Sequence, residues 1–200
     1  RHMRTYSKEE INAVADALQN HKIIALPTDT VYGVGVMYGD LKDLQRLKNA
    51  KHRPETKPIP MMVSSIEHME LVAVVDERVK KIAEQFLPGA LTLVLKVKDN
   101  VPKEYTNGLD TIAIRIPDEP FILRVIDELN TPLLVTSANQ SGAKTALTSD
   151  DVLEQLPDID GLVLGKCRAL QASTIVDCTQ EKLKILRPGP ITLEQLEACL

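Results

Sequence analysis

The chain of 200 residues carries a formal net charge of −4, and 44% of its residues are hydrophobic. This length and composition are enough for one domain with a buried core, and no apolar run approaches the roughly 20 residues that span a bilayer. The three widely separated cysteines indicate neither a disulfide framework nor a zinc site, and the scarcity of aromatic residues argues against a surface that stacks single-stranded bases. We therefore expect a soluble cytoplasmic protein with no membrane segment.

Helical and strand patterns alternate along the chain, with no repeat or linker between them. The first predicted helix covers 7–19, with a capping box from Ser7 and Glu10, and the second is capped by Asp40 and runs to 47. Further helices are predicted over 76–86, 120–129 and 148–156, and a last helix begins at Thr192. The predicted strands cover 22–26, 91–97, 111–116, 133–136, 162–164, 174–177 and 183–186, and residues 59–63 form an apolar segment. Several neighbouring strands have no helix between them, so we expect an α/β fold with a mixed sheet. We expect residues 4–200 to form a single domain, preceded by Arg1-His2-Met3 as a cloning remnant that ends on the native start Met.

A basic segment, KHRPETKP, follows the second predicted helix at residues 51–58. Residues 46–57 contain five Lys or Arg and one acid, so the local charge is 5 − 1 = +4 in a chain of net charge −4. Each of the two prolines restricts the residue before it to extended backbone, which predicts a stiff loop. Such a loop can direct Lys51, Arg53 and Lys57 at a small polyanion, although a solvated charge run is the alternative for these charges alone.

Polar side chains and glycines follow two of the predicted strands. The strand over 22–26 runs into PTDTVYGVG, and the strand over 133–136 runs into SANQSG. Ligands of α/β proteins usually lie beyond the carboxyl ends of strands, and hydroxyls, amides and closely approaching backbone suit phosphate or carboxylate oxygens. An ordinary polar turn is the alternative for each segment, and neither has the spacing of a Rossmann fingerprint or a phosphate loop.

Three further residues beside predicted strands are candidates for anion binding. Arg115 interrupts an apolar strand, where it either faces water or reaches a carboxylate bidentately. Ser173 precedes the strand over 174–177, and Arg187 follows the strand over 183–186. Since no His or Cys stands in a recognisable nucleophile motif, we expect catalysis by positioning and charge neutralisation of phosphates, with the substrates supplying their own nucleophiles.

Seven motifs along the chain carry a family resemblance. They are LPTDTVYGVG, KHRPETKP, LPGALTLVL, TIAIRIP, TSANQSG, STIVD and LRPG. In this order they resemble the YrdC-like family of L-threonylcarbamoyladenylate synthases, over roughly residues 8–190. The resemblance implies a YrdC-like (DHBP synthase-like) fold with a twisted open mixed sheet and flanking helices. It also implies an enzyme that forms threonylcarbamoyl-AMP and pyrophosphate from ATP, L-threonine and bicarbonate, for threonylcarbamoyladenosine modification of tRNA.

The resemblance also implies roles for individual residues. The catalytic residues would be Lys51 and Arg53. The residues that contact threonine would be Thr30, Arg115 and Ser173. The residues that contact ATP would be Arg53, Lys57, Thr111, Ser137, Asn139, Thr145 and Arg187. Magnesium would accompany the nucleotide, with no metal site built from the protein alone.

Two features depart from many family members. Met62 stands where those members carry a histidine, and a thioether is only a weak acceptor. The chain ends at Leu200 without the C-terminal extension of longer members, so we expect the short single-domain type, closed by its own termini or by a partner. Downstream threonylcarbamoyl-transfer proteins are the expected partners, with contact to tRNA or double-stranded RNA as a further expectation.

Two other functions compete with the synthase. A non-catalytic module for tRNA or double-stranded RNA would use the same basic residues to recognise backbone and shape. It would not need the combination of Thr30, Ser137, Asn139 and Ser173, so this polar set favours the enzyme. A family paralogue with a different carbamoyl or adenylyl transfer is the third interpretation, which Met62 keeps open.

Overall fold

The computed structural model describes residues 3–52, 57–167 and 171–200. These residues form a mixed sheet of ten strands with flanking helices, which confirms the predicted fold class. The strands are β1 (Arg4–Tyr6), β2 (Ile24–Leu26), β3 (Gly33–Met37), β4 (Met61–Met62), β5 (Leu91–Lys96), β6 (Thr111–Arg115), β7 (Leu133–Ser137), β8 (Gly161–Val163), β9 (Thr174–Asp177) and β10 (Lys184–Arg187). The helices are α1 (Ile11–Gln19), α2 (Leu41–Lys51), α3 (Ile66–Glu70), α4 (Glu77–Phe86), α5 (Pro120–Leu129), α6 (Ser149–Gln155) and α7 (Leu193–Ala198), with a 3-10 helix over Lys103–Thr106. None of these described helices combines the length and apolarity needed to cross a membrane.

The strand order across the sheet is β1-β8-β2-β3-β7-β4-β6-β5-β9-β10. The pairs β1–β8, β8–β2, β4–β6 and β5–β9 are parallel, and the remaining neighbours are antiparallel. Strand β4 lies between β6 and β7, and it is parallel to β6 and antiparallel to β7. The carboxyl ends of β6 and β7 therefore point to opposite edges of the sheet.

Two hydrophobic cores lie on opposite faces of this sheet. On one face, α2, α4, α6 and α7 contribute buried residues such as Leu47 and Ile82. On the other face, α1 and α5 pack against each other and against the strands, with Val14, Leu18 and Phe121 fully or almost fully buried. Burial of a large aliphatic side chain contributes about 1.5–3 kcal/mol, so both faces stabilise the sheet.

The face that α1 and α5 cover continues onto β5, β6 and β9, where its side chains are less enclosed. Alternate residues on these strands, Val94, Thr111, Ala113 and Ile175, are partly exposed, while the residues between them are buried. Arg115 shares this face with Thr111 because strand residues two apart point the same way. We call this partly exposed face of β5, β6 and β9 the open face.

Most of the predicted elements are confirmed to within a few residues. Two helices have different ends from those predicted. Helix α2 extends to Lys51 instead of 47, and it ends where His52 adopts left-handed backbone (φ 51°). Helix α1 begins at Ile11 instead of residue 7, after a turn at residues 8 and 9. The predicted capping box is wrong, because the N-cap residue is Glu10, which makes no side-chain cap hydrogen bond, although the backbone N–H of Ser7 donates to the Glu10 carboxylate. Asp40 accepts a backbone hydrogen bond as predicted, and Asp76, Thr148 and Thr192, the first residues of three other predicted helices, also cap their helices.

Strand β3 was not predicted, because its glycines have low strand propensity and suggest a loop. It lies in the sheet between β2 and β7. A Cβ atom on Gly35 would lie 2.5 Å from the Leu134 carbonyl oxygen, and one on Gly33 would lie 2.6 Å from the Val135 side chain. These glycines therefore permit a close approach of β3 and β7. Strand β1, helix α3 and the 3-10 helix were also not predicted.

Tyr32 anchors the segment between β2 and β3. Its side chain is fully buried, its hydroxyl donates to the Val163 carbonyl, and the same hydroxyl lies 3.1 Å from Ser149 Oγ. Burial raises the pKa of this phenol to about 12, so Tyr32 stays a protonated donor at neutral pH. The segment that carries Thr28 to Thr30 is thus fixed to β8 and to the start of α6.

We predict that Tyr32→Phe lowers the free energy of unfolding by about 1–2 kcal/mol, because it leaves a buried carbonyl without its donor. Chemical denaturation measures this change. The matched control is Tyr38→Phe, since no hydrogen bond of the Tyr38 hydroxyl is recorded among the described residues, and its change should stay within about 0.5 kcal/mol. Equal effects of the two substitutions would contradict the anchoring role of Tyr32.

Candidate active site

Arg115 lies at the centre of the candidate site, at the carboxyl end of β6. Its side chain is 5% exposed. Nη1 donates to Asp29 Oδ1 at 2.7 Å and to the Gly89 carbonyl at 3.1 Å, while Nη2 donates to Thr30 Oγ1 at 3.3 Å. A buried cation requires such partners because it has lost its water. Of the two environments predicted for Arg115, exposure to water is wrong, and the described contact with a carboxylate is a single one, from Nη1 to Asp29, instead of a bidentate pair.

The hydrogen bonds around Thr28 and Thr30 show which hydroxyl donates and which accepts. Thr28 Oγ1 donates to the Val31 carbonyl at 2.6 Å and accepts from the Thr30 backbone N–H at 3.0 Å. The two threonine hydroxyl oxygens are 3.1 Å apart, and since the Thr28 proton is already used, Thr30 donates to Thr28. Thr30 Oγ1 therefore acts as an acceptor toward Arg115 and has one lone pair left for a ligand.

Arg187 places a second guanidinium near Arg115. Its Nε donates to the Ser173 carbonyl at 3.0 Å, and its Nη2 donates to Ser173 Oγ at 3.1 Å. Partial burial lowers the pKa of Arg187, and the nearby positive charge of Arg115 lowers it further. Because the two guanidinium groups repel each other, an anion that binds beside them would be stabilised by both.

Thr92 contacts Ser173, the partner of Arg187, and lies beside Arg115 in the sheet. The hydroxyl oxygens of Thr92 and Ser173 are 2.7 Å apart, and both residues are buried. Leu93 pairs with Ile114, so continuing the register by one residue places Thr92 opposite Arg115. Ser173, predicted to contact a substrate, thus lies on the same side of the site as Arg115.

Lys51, the last residue of α2, is 1% exposed. Its Nζ donates to the Ser137 carbonyl at 2.5 Å and lies 3.4 Å from both Thr136 Oγ1 and Ser137 Oγ. The Lys51 carbonyl accepts from the backbone N–H and the hydroxyl of Ser141. The basic segment and the SANQSG segment therefore meet in the fold. Their contact joins Lys51 to Ser137, which are 86 residues apart in sequence.

Asn139 presents a buried acceptor. Its Nδ2 donates to the carbonyls of Gln140 and Ala143, at 2.9 and 3.2 Å, and the residue is 7% exposed. Its Oδ1 is buried without a hydrogen-bond partner in the described part of the chain. Since an unpaired buried acceptor is costly, this oxygen is suited to accept from an N–H or O–H of a ligand.

The remaining predicted contacts lie farther from Arg115. Continuing the registers of β7 with β4 and of β4 with β6 places Ser137 and Thr111 at one level across the sheet. Thr111 and Arg115 are then about 13 Å apart along β6, on the open face. Thr145 and Lys57 are exposed, and Thr145 precedes Ala146, whose carbonyl accepts from the Tyr32 backbone N–H. Arg53 lies outside the described residues.

The structure corrects two sequence-based interpretations. The basic charge of residues 46–57 is not all at the site, because Arg46 lies 3.3 Å from the Asp160 carboxylate and Lys48 donates to Asn107. The site is also not a row of strand ends at one edge. Arg115 and Ser137 lie toward opposite edges of the sheet, and the segment with Asp29 and Thr30 reaches Arg115 from the other strands.

Sequence reasoning missed the roles of Asp29, Thr28 and Thr92. Asp29 stood inside a motif whose polar residues fit an ordinary turn, and nothing in the sequence indicates that its partner is 86 residues away. Thr92 occupies a strand position where a threonine is common. Met62 is almost fully buried, packs in the core with α5, and pairs with Arg115 across β4 and β6.

The donors at this site suit anions better than a metal. The described polar groups are guanidinium, ammonium, hydroxyl and amide groups, and the Asp29 carboxylate is already paired with Arg115. Magnesium prefers carboxylate and phosphate oxygens. The described residues around Lys51 therefore do not offer magnesium a carboxylate set, and a nucleotide would have to supply its phosphate oxygens.

Comparisons with known proteins agree with this geometry. A family model, Sua5_yciO_yrdC with the description Telomere recombination, matches residues 16–189. The chain is 35% identical over 194 residues to Threonylcarbamoyl-AMP synthase of Pyrococcus abyssi, an alignment that covers 94% of this chain and 56% of that protein. It is 35% identical over 195 residues to Putative threonylcarbamoyl-AMP synthase of Methanocaldococcus jannaschii, covering 96% of this chain and 91% of that one.

Solved structures show the same fold. The crystal structure of P. abyssi Sua5 complexed with L-threonine superposes with a TM-score of 0.93 at 32% identity, covering 100% of this chain and 61% of that chain. Escherichia coli YciO superposes with a TM-score of 0.86 at 20% identity, covering 97% of each chain, and shows the fold alone. The chain thus spans little more than half the length of the Pyrococcus relative. By its motifs, its fold and the match over residues 16–189, the chain belongs to the Sua5/YciO/YrdC family.

Proposed function

We propose that this chain is an L-threonylcarbamoyladenylate synthase, which makes threonylcarbamoyl-AMP and pyrophosphate from ATP, L-threonine and bicarbonate. The observation that carries the proposal is the buried guanidinium of Arg115 beside the second guanidinium of Arg187. Relatives named threonylcarbamoyl-AMP synthase and the likeness to a structure complexed with L-threonine support it. We further propose that residues 4–200 act as one domain.

The threonine end of the site would be formed by Arg115, Thr30 and Ser173. Arg115 would bind the substrate carboxylate, because a guanidinium matches two carboxylate oxygens in geometry and charge. Thr30 Oγ1 would accept from a substrate N–H or O–H, since its own proton is donated to Thr28. Ser173 is held in place by Thr92 and Arg187.

The nucleotide end would be formed around Lys51, Ser137 and Asn139. Their groups are close because α2 ends against the segment that follows β7. Lys51 would contact phosphate oxygens, and the buried Oδ1 of Asn139 would accept from the nucleotide. The further contacts proposed for ATP are Arg53, Lys57, Thr111, Thr145 and Arg187.

The chemistry needs two bond-forming steps. The threonine nitrogen, after loss of a proton, bonds to the bicarbonate carbon, and water leaves to give a carbamate. A carbamate oxygen then bonds to the α-phosphorus of ATP as the bond to the β-phosphate oxygen breaks, and pyrophosphate leaves. Negative charge builds up on the departing phosphates, where Lys51 and Arg53 would stabilise it.

Other components of the proposal come from the family resemblance. Magnesium would enter with the nucleotide. Downstream threonylcarbamoyl-transfer proteins would consume the product during tRNA modification, and contact with tRNA or double-stranded RNA stays a prediction. The non-catalytic RNA-binding module is not favoured, because the relatives carry the name of an enzyme and the polar side chains converge on a buried guanidinium.

Pyrophosphate release from ATP tests the proposed reaction. We expect release only when L-threonine and bicarbonate are both present, and we expect Lys51→Met to lower kcat at least about 100-fold by removing a charge near the phosphates. The matched control is Lys42→Met on the exposed side of the same helix, which should stay within about twofold. Release that does not depend on threonine would contradict the synthase function.

Substitution of Arg115 tests the threonine end separately. Arg115→Ala should raise KM for L-threonine at least about 100-fold and change KM for ATP only slightly, because its lost contacts are to the carboxylate. Steady-state kinetics with each substrate varied in turn measures both values. Arg124→Ala, on the exposed face of α5, serves as the control. Equal rises in both KM values would contradict the assigned role.

A further inference from the structure

We infer that Gln140 is a positioning residue for the nucleotide end of the site, because it fixes the end of α2 that carries Lys51. The inference rests on the proposed function, which has Lys51 contact the phosphates of ATP. It goes beyond that function because it gives a role to a residue that itself contacts no substrate. Gln140 acts through Lys51.

The side chain of Gln140 joins the C-terminal ends of two helices. Its Nε2 donates to the Ala50 carbonyl at 3.3 Å, in the last turn of α2. The same Nε2 donates to the carbonyl of Gln155, the last residue of α6, at 3.1 Å. Carbonyls in the last turn of a helix have no partner within the helix, so these two accept from a side chain instead. One amide group therefore sets the spacing between the two helix ends.

The side chain of Gln155 holds the same segment from α6. Its Oε1 accepts from the Gln140 backbone N–H at 3.0 Å, and its Nε2 donates to the Lys144 carbonyl at 2.7 Å. The two glutamines thus bond to each other twice, since the side chain of each contacts the main chain of the other. This pair fixes the segment over 140–144 to α6.

Lys51 directly follows Ala50 and depends on the same segment. Its carbonyl accepts from the backbone N–H and the hydroxyl of Ser141, at 3.4 and 3.3 Å, and its ammonium donates to the Ser137 carbonyl. Loss of the bond from Gln140 to Ala50 would release the end of α2 from this segment. A displacement of about 1 Å can lower the rate of an enzyme about 100-fold, so the position of Lys51 matters for a group that contacts phosphates.

The amide of Gln140 has a local cost that its two donors must offset. Its Oε1 is buried without a hydrogen-bond partner in the part of the chain that the structure describes. Exchanging the nitrogen and the oxygen would not remove this cost, because the oxygen would then face the carbonyls of Ala50 and Gln155. Local costs of this kind are typical of residues that serve a functional site.

A purely structural role of Gln140 predicts a different response to substitution. In that case, Gln140→Leu would loosen the fold and weaken ATP and L-threonine to the same extent. A positioning role affects ATP alone, because the threonine end is built around Arg115. It also acts through Lys51, so the effect on ATP should disappear once Lys51 is replaced.

Titration calorimetry with ATP and with L-threonine tests the inference, at a temperature at which each variant is folded. Gln140→Leu should weaken ATP about tenfold, within the range for coupled neighbouring residues, and should leave L-threonine within about twofold. In Lys51→Met, the added Gln140→Leu substitution should change ATP affinity by less than about twofold. The matched control is Gln45→Leu, which removes an exposed glutamine of α2 that donates to Asn49 of the same helix. It should leave both affinities within about twofold.

Equal weakening of ATP and L-threonine in Gln140→Leu would overturn the inference, and so would an unchanged ATP affinity. The same loss of ATP affinity with and without Lys51 would also overturn it. If Gln140→Leu does not fold, Gln155→Leu makes the same comparison, because it removes the acceptor of the Gln140 backbone N–H. ATP should then weaken about threefold, and only where Lys51 is present; any other pattern overturns the inference.

The proposed function fails separately, when the unsubstituted chain releases no pyrophosphate in response to L-threonine. The comparison of variants uses ATP binding and does not depend on turnover. Threonine-dependent release, together with equal losses of ATP affinity in the presence and absence of Lys51, would contradict the inference alone.

Discussion

Arg115 is a cation that folding removes from water, and the cost of that burial determines the arrangement around it. An isolated buried charge costs several kcal/mol, so the fold must supply a carboxylate and hydrogen-bond acceptors. Asp29, Thr30 and the Gly89 carbonyl supply them from two different loops. The segment between β2 and β3 is thereby held against β6, although two other strands, β7 and β4, separate β3 from β6 in the sheet.

A second constraint acts on Lys51, which is even more buried at the end of α2. Its ammonium group fixes the carbonyl of Ser137, so the helix and the segment after β7 form one wall of the site. Arg187 adds a positive charge near Arg115, and no described acid other than Asp29 is paired with either guanidinium. Arg115 and Arg187 thus stand against one paired carboxylate, Asp29, and this excess of positive charge favours an anion beside them.

The sequence predicts the regular elements well and the long-range contacts poorly. Local patterns located α4, α5 and β9, because periodicity depends on neighbouring residues. Strand β3 was missed because Gly33 and Gly35 weaken the strand signal, although close packing against β7 requires them. The motifs predicted Arg115 and Lys51 as site residues. Their partners, among them Asp29, were not predictable, since the register that joins distant strands is a property of the whole sheet.

The central claim is that one pocket joins bicarbonate carbon, threonine and the α-phosphate of ATP. A double-label measurement tests it most directly, with carbon-14 bicarbonate, ATP labelled with phosphorus-32 at the α-position, and unlabelled L-threonine. The account predicts one product that contains both labels in equal molar amounts and forms only when threonine is present. Recovery of the phosphorus label in AMP or ADP without the carbon label would contradict it.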